Sequence, residues 1–334
     1  MSAQRVFRCF KYMERAGDKI TGAAGPLFVF LAWVLLSLGA VSFFNVIQPT
    51  LRLPYISTPI CVLIAVNLFG HYYYACTVPP GFITDPPLHP KNNILWAKKR
   101  KTARNIALTG VRWSDDVAIT KATYTKCKRC GEMRPERAHH CRICNRCVLK
   151  YDHHCPVWIN GCIGLHNERH FILFMLYLII SAWTFTICGW PHVLDALGWD
   201  DHTGDAWKHW SPSITFLLTY ILAAVLGFAV TIMAGWHFWT VSNGETSVEA
   251  QDHDVYRRVA KGRGEDFVNS YDLGKLKNLQ LFFNIGKTGY PLYTLLFPFR
   301  CEPYTDGRAW ARRPGYERHS GLRAGEELTD DDEE

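Results

Sequence analysis

Charge is missing from four long stretches of this 334-residue sequence. Residues 26–47, 55–78, 171–194 and 214–241 contain no Asp, Glu, Lys or Arg. Such runs exclude an ordinary buried helix, which is shorter and keeps a polar stripe. Each is long enough to cross a bilayer, because about 20 residues rising ~1.5 Å apiece span the ~30 Å hydrocarbon core. A small-residue cleavage site is missing after the first run, which follows 25 mostly polar residues, so that run reads as a retained span and not as a signal peptide. No solenoid-type repeat is present. Basic residues are scarce between the third and fourth runs, where Asp195, Asp200, Asp201 and Asp205 face a single Lys208. They gather instead at Arg5, Arg8, Lys11, Arg15 and Lys19, at Lys98, Lys99, Arg100, Lys101 and Arg104, and at Arg257, Arg258, Lys261 and Arg263. The positive-inside rule then puts both termini and the long loop before the third span in the cytosol. The formal net charge of +7 reads as topology and attraction to anionic lipid, and no nucleic-acid partner is expected.

The expected fold is an α-helical polytopic membrane protein with four transmembrane helices and a cytosolic cysteine-rich module between the second and third. Its parts are a cytosolic N-terminus (1–25), two spans (26–78), a cytosolic loop (79–170), two more spans around an acidic lumenal loop (171–241), a cytosolic C-terminal region (242–300) and a disordered tail (301–334) ending in "EELTDDDEE".

Cysteine is not scarce. Of 12, seven fall between Cys127 and Cys162, and "HHCRICNRCVLKYDHHCPVWINGC" holds five cysteines and four histidines in 24 residues. In a cytosolic loop, where disulfides are rarely kept, metal binding is the first reading. Two tetrahedral zinc ions need eight ligands. Six cysteines and two histidines fill them and leave one cysteine over. Cys9, Cys61, Cys76, Cys188 and Cys301 have no partner pattern, although Cys9 or Cys301 near the membrane is a candidate for acylation.

The run "CKRCGEMRPERAHHCRICNRCVLKYDHHC" resembles the cysteine-rich domain of the DHHC protein S-acyltransferases, over residues 127–171, with the name-giving tetrad at Asp152, His153, His154 and Cys155. "PPG" at 79–81 is similar to the family's Asp-Pro-Gly element, with Pro79 in place of the acid. "TSVE" is similar to its Thr-Thr-x-Glu element, marking Thr246 and Ser247, and "NSYDLG" to the tail motif in which Asn269 and Tyr271 dock on the catalytic module. The resemblance implies two interleaved structural zinc sites, one from Cys127, Cys130, His140 and Cys147, the other from Cys141, Cys144, His154 and Cys162; spacing alone does not choose this partition. It also makes Cys155 the nucleophile, His153 its base and Asp152 the group that orients His153.

The implied activity carries a long-chain fatty acyl group, palmitoyl first, from acyl-CoA through an acyl-Cys155 intermediate to cysteines of membrane-associated proteins. Lys126, Lys128, Arg129, Arg134 and Arg137 are candidates for the CoA phosphates. Trp183 and Phe185 are candidates for setting chain length, and the endoplasmic reticulum is favoured over the Golgi because the first uncharged run is short. One residue more than the family's usual spacing separates Cys155 from Cys162. It can be absorbed as a bulge at the flexible Gly161, or it can tilt the nucleophile and loosen the second zinc. The rival reading is a catalytically dead membrane zinc scaffold. A membrane-bound ubiquitin ligase of the RING type would need no surplus cysteine beside His and Asp.

Overall fold

The computed structural model describes residues 3–86, 94–98, 117–199, 207–286 and 289–323. Among them, four helices are long and apolar enough to cross a membrane, at Thr21–Thr50, Pro54–Thr77, Glu168–Gly189 and Ser213–Ser242. Helix α1 (Ala3–Ser42) carries the first and passes through a π turn, Phe43–Ile47, into a 3-10 turn, Gln48–Thr50. Helix α2 (Pro54–Thr77) returns, α3 (Glu168–Gly189) packs between α2 and α5 (Ser213–Ser242), and α1 lies against α5. The outer face of α5 exposes Ile214, Leu218, Ile221, Val225, Phe228 and Ile232. That stripe repeats every three to four residues and is apolar, the inverse of a soluble helix, as a lipid-facing surface requires.

The third span departs from the uncharged run that marked it. It begins at Glu168 and stops at Gly189; a short α4 (Pro191–Leu197) follows and ends at Gly198, whose φ is +71°. Pro191 lacks the amide that would continue the ladder. The charged start is admitted because Glu168 is paired with Lys150 at 2.6 Å and Arg169 is bonded to the Thr294 carbonyl at 2.9 Å.

Outside the spans lie short antiparallel strand pairs: β1 (Ala118–Lys121) with β8 (Ala309–Arg312), β2 (Tyr124–Lys126) with β3 (Met133–Pro135), β4 (His139–Cys141) with β5 (Arg146–Val148), and β6 (His153–Cys155) with β7 (Gly161–Ile163). Strands of three or four residues bury too little to stand alone, so something other than a hydrophobic core must tie these hairpins together. Two helices, α6 (Ser247–Gly262) and α7 (Lys275–Phe282), complete the module.

The disordered tail expected from residue 301 onward is corrected over residues 301–323. Strand β8 pairs with β1 residue for residue from Ala118↔Arg312 to Lys121↔Ala309. Trp310 is fully buried, and Arg312 reaches Glu136 at 2.6 and 2.7 Å. Composition had weighed the acidic end and missed the anchoring Trp310. Cys301 is buried, which removes it as an exposed acylation site. The acidic end, residues 326–334, the basic positions 99–101 and 104, Asp200, Asp201 and Asp205 lie outside the described residues, as does the side chain of Cys9.

Candidate functional site

Strand alternation explains the site. Successive side chains on a strand point to opposite faces, and residues directly opposite across a hairpin share one face. On β4, His140 therefore faces one way and Cys141 the other. His140 pairs with Cys147 across β4–β5, and His154 pairs with Cys162 across β6–β7. Each histidine thus meets a cysteine, and two four-residue groups form: Cys127, Cys130, His140 and Cys147, and Cys141, Cys144, His154 and Cys162. This is the interleaved partition, produced by pleating where spacing was silent.

The ligand atoms fit tetrahedral zinc. Bonds of about 2.3 Å to sulfur and 2.0 Å to nitrogen put sulfurs about 3.8 Å apart and nitrogen about 3.5 Å from sulfur. The Cys130 and Cys147 sulfurs are 3.6 Å apart and those of Cys144 and Cys162 3.5 Å, far beyond the ~2.05 Å of a disulfide. His140 Nδ1 lies 3.7 Å from the sulfurs of Cys127 and Cys147. His154 Nδ1 lies 3.5, 3.5 and 3.4 Å from those of Cys141, Cys144 and Cys162. The two Cys3His groups can bind metal ions, consistent with zinc.

The same alternation separates His153 and Cys155 from His154. Both line a cavity among the spans, and neither belongs to a metal group of cysteines. The surplus cysteine, Cys155, is buried beside Ile159, Ile163 and Phe171. His153 contacts the Cys155 side chain and donates from Nδ1 to Asp152 Oδ2 at 2.6 Å. Asp152 is held from three more directions. The Ser247 amide donates to Oδ1 at 2.7 Å, its hydroxyl donates to Oδ2 at 3.2 Å, and His237 Nδ1 stands 3.7 Å from Oδ2. Burial raises the Asp152 pKa, but the His153 bond and charge, His237 and the Ser247 amide outweigh it and bring it down to about 2. Burial lowers His153, yet the bond it donates to Asp152 and the neighbouring Cys155 push it up to about 9.

The amide that binds Asp152 is the first of α6. Thr246 caps that helix: its hydroxyl accepts from the Glu249 amide at 3.3 Å while its own amide donates to Glu249 Oε2 at 2.9 Å. A carboxylate at a helix N-terminus meets unpaired N–H groups and the positive end of the macrodipole. Glu249 is in turn gripped by Arg137 through two bonds of 2.6 and 2.7 Å. Arg137 also donates to the Gly244 carbonyl and stacks over Tyr271 and Trp310. Asn269 donates to the Asn243 carbonyl at 3.0 Å and accepts from the Tyr271 amide at 2.9 Å.

Two candidate phosphate ligands are thereby corrected. Arg137 is buried and fully engaged, and Arg134 is buried and bonded to Thr125. Lys126, Lys128 and Arg129 remain on the exposed face of the module. In the loop before Cys162 the left-handed residue is Asn160, whose φ is +52°, and not Gly161; asparagine tolerates that conformation better than most side chains. The loop gives the Trp158 carbonyl to Tyr72 at 2.9 Å and leaves Cys162 in its cluster. Sequence reasoning missed His237, Arg137 as a partner of Glu249, and Ser247 as a partner of Asp152. A histidine within an uncharged span was the available signal for the first.

The cavity beside Cys155 opens between the helices and is apolar. It runs past Trp158, Phe171 and Phe174 to Phe185 at the far end of α3, and Phe43 and Phe44 of the π turn after α1 line it too. From Phe171 to Phe185 the helix rises about 21 Å. Trp183 is not among the lining residues; it faces outward and bonds Thr231 at 3.1 Å.

Residues 120–254 match the family model described as DHHC palmitoyltransferase. Palmitoyltransferase ZDHHC16A of Danio rerio is 28% identical over 291 residues, covering 73% of this chain and 66% of that protein. Palmitoyltransferase ZDHHC15 of Homo sapiens is 31% identical over 215 residues, covering 62% and 56%. The probable protein S-acyltransferase 14 of Arabidopsis thaliana is 28% identical over 242 residues, covering 70% and 72%. The chain thus spans less than two thirds of the length of the first two relatives.

Proposed function

Since residues 120–254 match the family model described as DHHC palmitoyltransferase, we propose that the chain is a protein S-acyltransferase that moves a long-chain fatty acyl group, palmitoyl first, from acyl-CoA to cysteines of membrane-associated proteins. The observation that carries this is the surplus thiol: Cys155 stands outside both zinc groups, beside a histidine oriented by a carboxylate, at the mouth of an apolar cavity.

In the first step the Cys155 sulfur attacks the thioester carbonyl. The new S–C bond forms as the bond to the CoA sulfur breaks, and the Cys155 proton passes through His153 to the departing CoA thiolate. In the second, His153 takes the proton of a substrate cysteine, whose sulfur attacks the acyl carbonyl; the bond to Cys155 breaks, the proton passes from His153 to the departing Cys155 thiolate, and the acyl group leaves on the substrate. Asp152 fixes the His153 tautomer and stabilises the imidazolium, and Ser247, at the first turn of α6, holds Asp152. Cys127, Cys130, His140 and Cys147, and Cys141, Cys144, His154 and Cys162, would hold two structural zinc ions, which would tie together the hairpins that aim these groups. Lys126, Lys128 and Arg129 are the remaining candidates for the CoA phosphates.

The dead-scaffold reading stays as the alternative and is tested directly. Purified chain given labelled palmitoyl-CoA and a cysteine-bearing membrane protein should first acquire a hydroxylamine-sensitive label and then pass it on. A chain that binds zinc but never takes the label is the scaffold.

The cavity makes a second outcome testable. An acyl chain within one leaflet occupies about 15 Å, half of the ~30 Å hydrocarbon core, and the wall from Phe171 to Phe185 exceeds that. Phe185→Ala should move acyl-CoA preference toward longer chains several-fold, while Trp183→Ala, which faces away from the cavity, should leave the preference as it is. Equal shifts in the two variants would remove Phe185 as the floor.

Both termini and the 79–170 loop are placed in the cytosol on the lysine and arginine asymmetry. The domain limits from the sequence are kept with the tail amended as above. Residence in an internal membrane, endoplasmic reticulum ahead of Golgi, rests on the short uncharged run 26–47 alone, and the 30-residue helix around it weakens that support.

A further inference from the structure

Beyond α7 the chain reads "YPLYTLLFPF", residues 290–299. It is as apolar as the spans, yet its only regular element is the single 3-10 turn Leu292–Leu295. This irregular piece rests on α2 and α3 well inside their cytosolic ends. Pro298 packs on Gly70, where an added Cβ would come within 2.6 Å of it. The Leu296 carbonyl accepts from Asn67 at 2.7 Å, the Leu295 carbonyl from the Tyr177 hydroxyl at 2.8 Å, and the Thr294 carbonyl from Arg169 at 2.9 Å. Gly70 and Asn67 lie seven and ten residues inside Thr77, which is about 10 and 15 Å along the helix axis.

Non-helical backbone at membrane depth is tolerated only where its polar groups find protein partners. Here three consecutive carbonyls are each satisfied by a polar side chain projecting from a span. That accounts for Asn67, Arg169 and Tyr177, which contact neither the zinc groups nor the Cys155 site. On the opposite face of the segment, Leu292, Tyr293, Leu296 and Phe297 are all exposed among the described residues. Val66 and Tyr73, flanking the contact positions on α2, are exposed as well and continue the apolar surface. At one end Tyr290 is buried. At the other Arg300 stacks over Trp96 at 4.7 Å and over Tyr74, three residues from the end of α2, at 5.9 Å.

We propose that residues 290–299 form a re-entrant wedge that enters the cytosolic leaflet and leaves on the same side, its exposed apolar face covered by lipid acyl chains. The wedge is a fifth membrane contact, supplied by the C-terminal region, and it pins α7 and the strands beyond it to the bilayer surface beside the Cys155 cavity. It rests on the four-span reading, and the experiment keeps the two apart.

The full-length chain is reconstituted in phosphatidylcholine vesicles with labelled acyl chains, carrying photoreactive benzoylphenylalanine at one position at a time: Leu292, Phe297, Phe228 on the exposed face of α5, or Tyr124 on the exposed hairpin. The first two positions are exposed, so the larger ring displaces no core. Lipid adducts at 292 and 297 within a few-fold of that at 228, with none at 124, are the expected result. An adduct at 228 with none at 292 and 297 overturns the wedge and leaves the spans standing. Crosslinks from 292 and 297 to a second protein chain instead of lipid overturn it too, since a protein would then cover this face. Absence of lipid adducts at all four positions removes the span reading and the wedge with it.

Discussion

Cys155→Ser should keep two zinc ions per chain and a near-normal melt while losing the acyl-enzyme, and Cys144→Ala should do the reverse, dropping toward one zinc and unfolding early. The contrast follows from which way each side chain leaves its strand. Cys144 lies 3.5 Å from the sulfur of Cys162 and 3.5 Å from His154 Nδ1, so removing it opens a tetrahedral site. Structural zinc contributes folding free energy directly, on the order of 10 kcal/mol in small zinc domains, and strands of three residues have little else. Cys155 belongs to neither Cys3His group, and a serine alcohol beside His153 is a far weaker nucleophile toward a thioester at neutral pH. His153→Ala should side with Cys155→Ser, and His154→Ala with Cys144→Ala, although the two histidines are adjacent. Zinc content measured beside acyl labelling across the four variants decides it. Zinc loss in Cys155→Ser, or normal labelling of it, would abandon the assignment of the nucleophile.

The second large effect lies away from the thiol. Arg137→Met alone should destabilise the fold by about 3–5 kcal/mol, the usual consequence of stranding one partner of a buried ion pair. Both residues are nine-tenths or more buried and meet through two bonds of 2.6 and 2.7 Å. Glu249 also closes the capping box that starts α6, and α6 presents Ser247 to Asp152. Transferase activity should therefore fall more steeply than folded yield. The double variant Arg137→Met with Glu249→Leu should recover much of the stability, because an apolar pair leaves no charge behind, and should recover little activity, because the cap is gone. Thermal melts in detergent would read this. A double variant no more stable than the single one would show that the two charges are not coupled.

The parts of this molecule that were legible in the sequence are those fixed by one-dimensional patterns. Uncharged runs longer than a soluble helix can hide announced the spans, and ligand counting left one cysteine over, which the resemblance to the DHHC family identified as Cys155. The partition of ligands between two metals was not legible, because it depends on which face of a two-stranded hairpin each residue takes. The Asp152 partners were hidden for a different reason: Ser247 and His237 are 95 and 85 positions away in the chain, and only tertiary packing brings them together. Arg137 was misassigned because a basic residue in a cysteine-rich loop looks like a surface charge until its buried acid is seen. The tail beyond residue 301 was misjudged because Trp310 and Arg312 anchor to strand and acid partners nearly two hundred residues earlier.

That last pairing has a consequence for biosynthesis. Strand β1 is complete at Lys121, but its partner β8 does not begin until Ala309. At about 5–20 residues per second on the ribosome, β1 waits roughly 10–40 s with an open edge, long after all eight metal ligands have emerged. The nascent chain can therefore collect its zinc before the sheet that seals Tyr271 and Trp310 exists, so that metal capture and closure of the module are separated in time. An unpaired edge held open that long is a surface on which another nascent copy can pair.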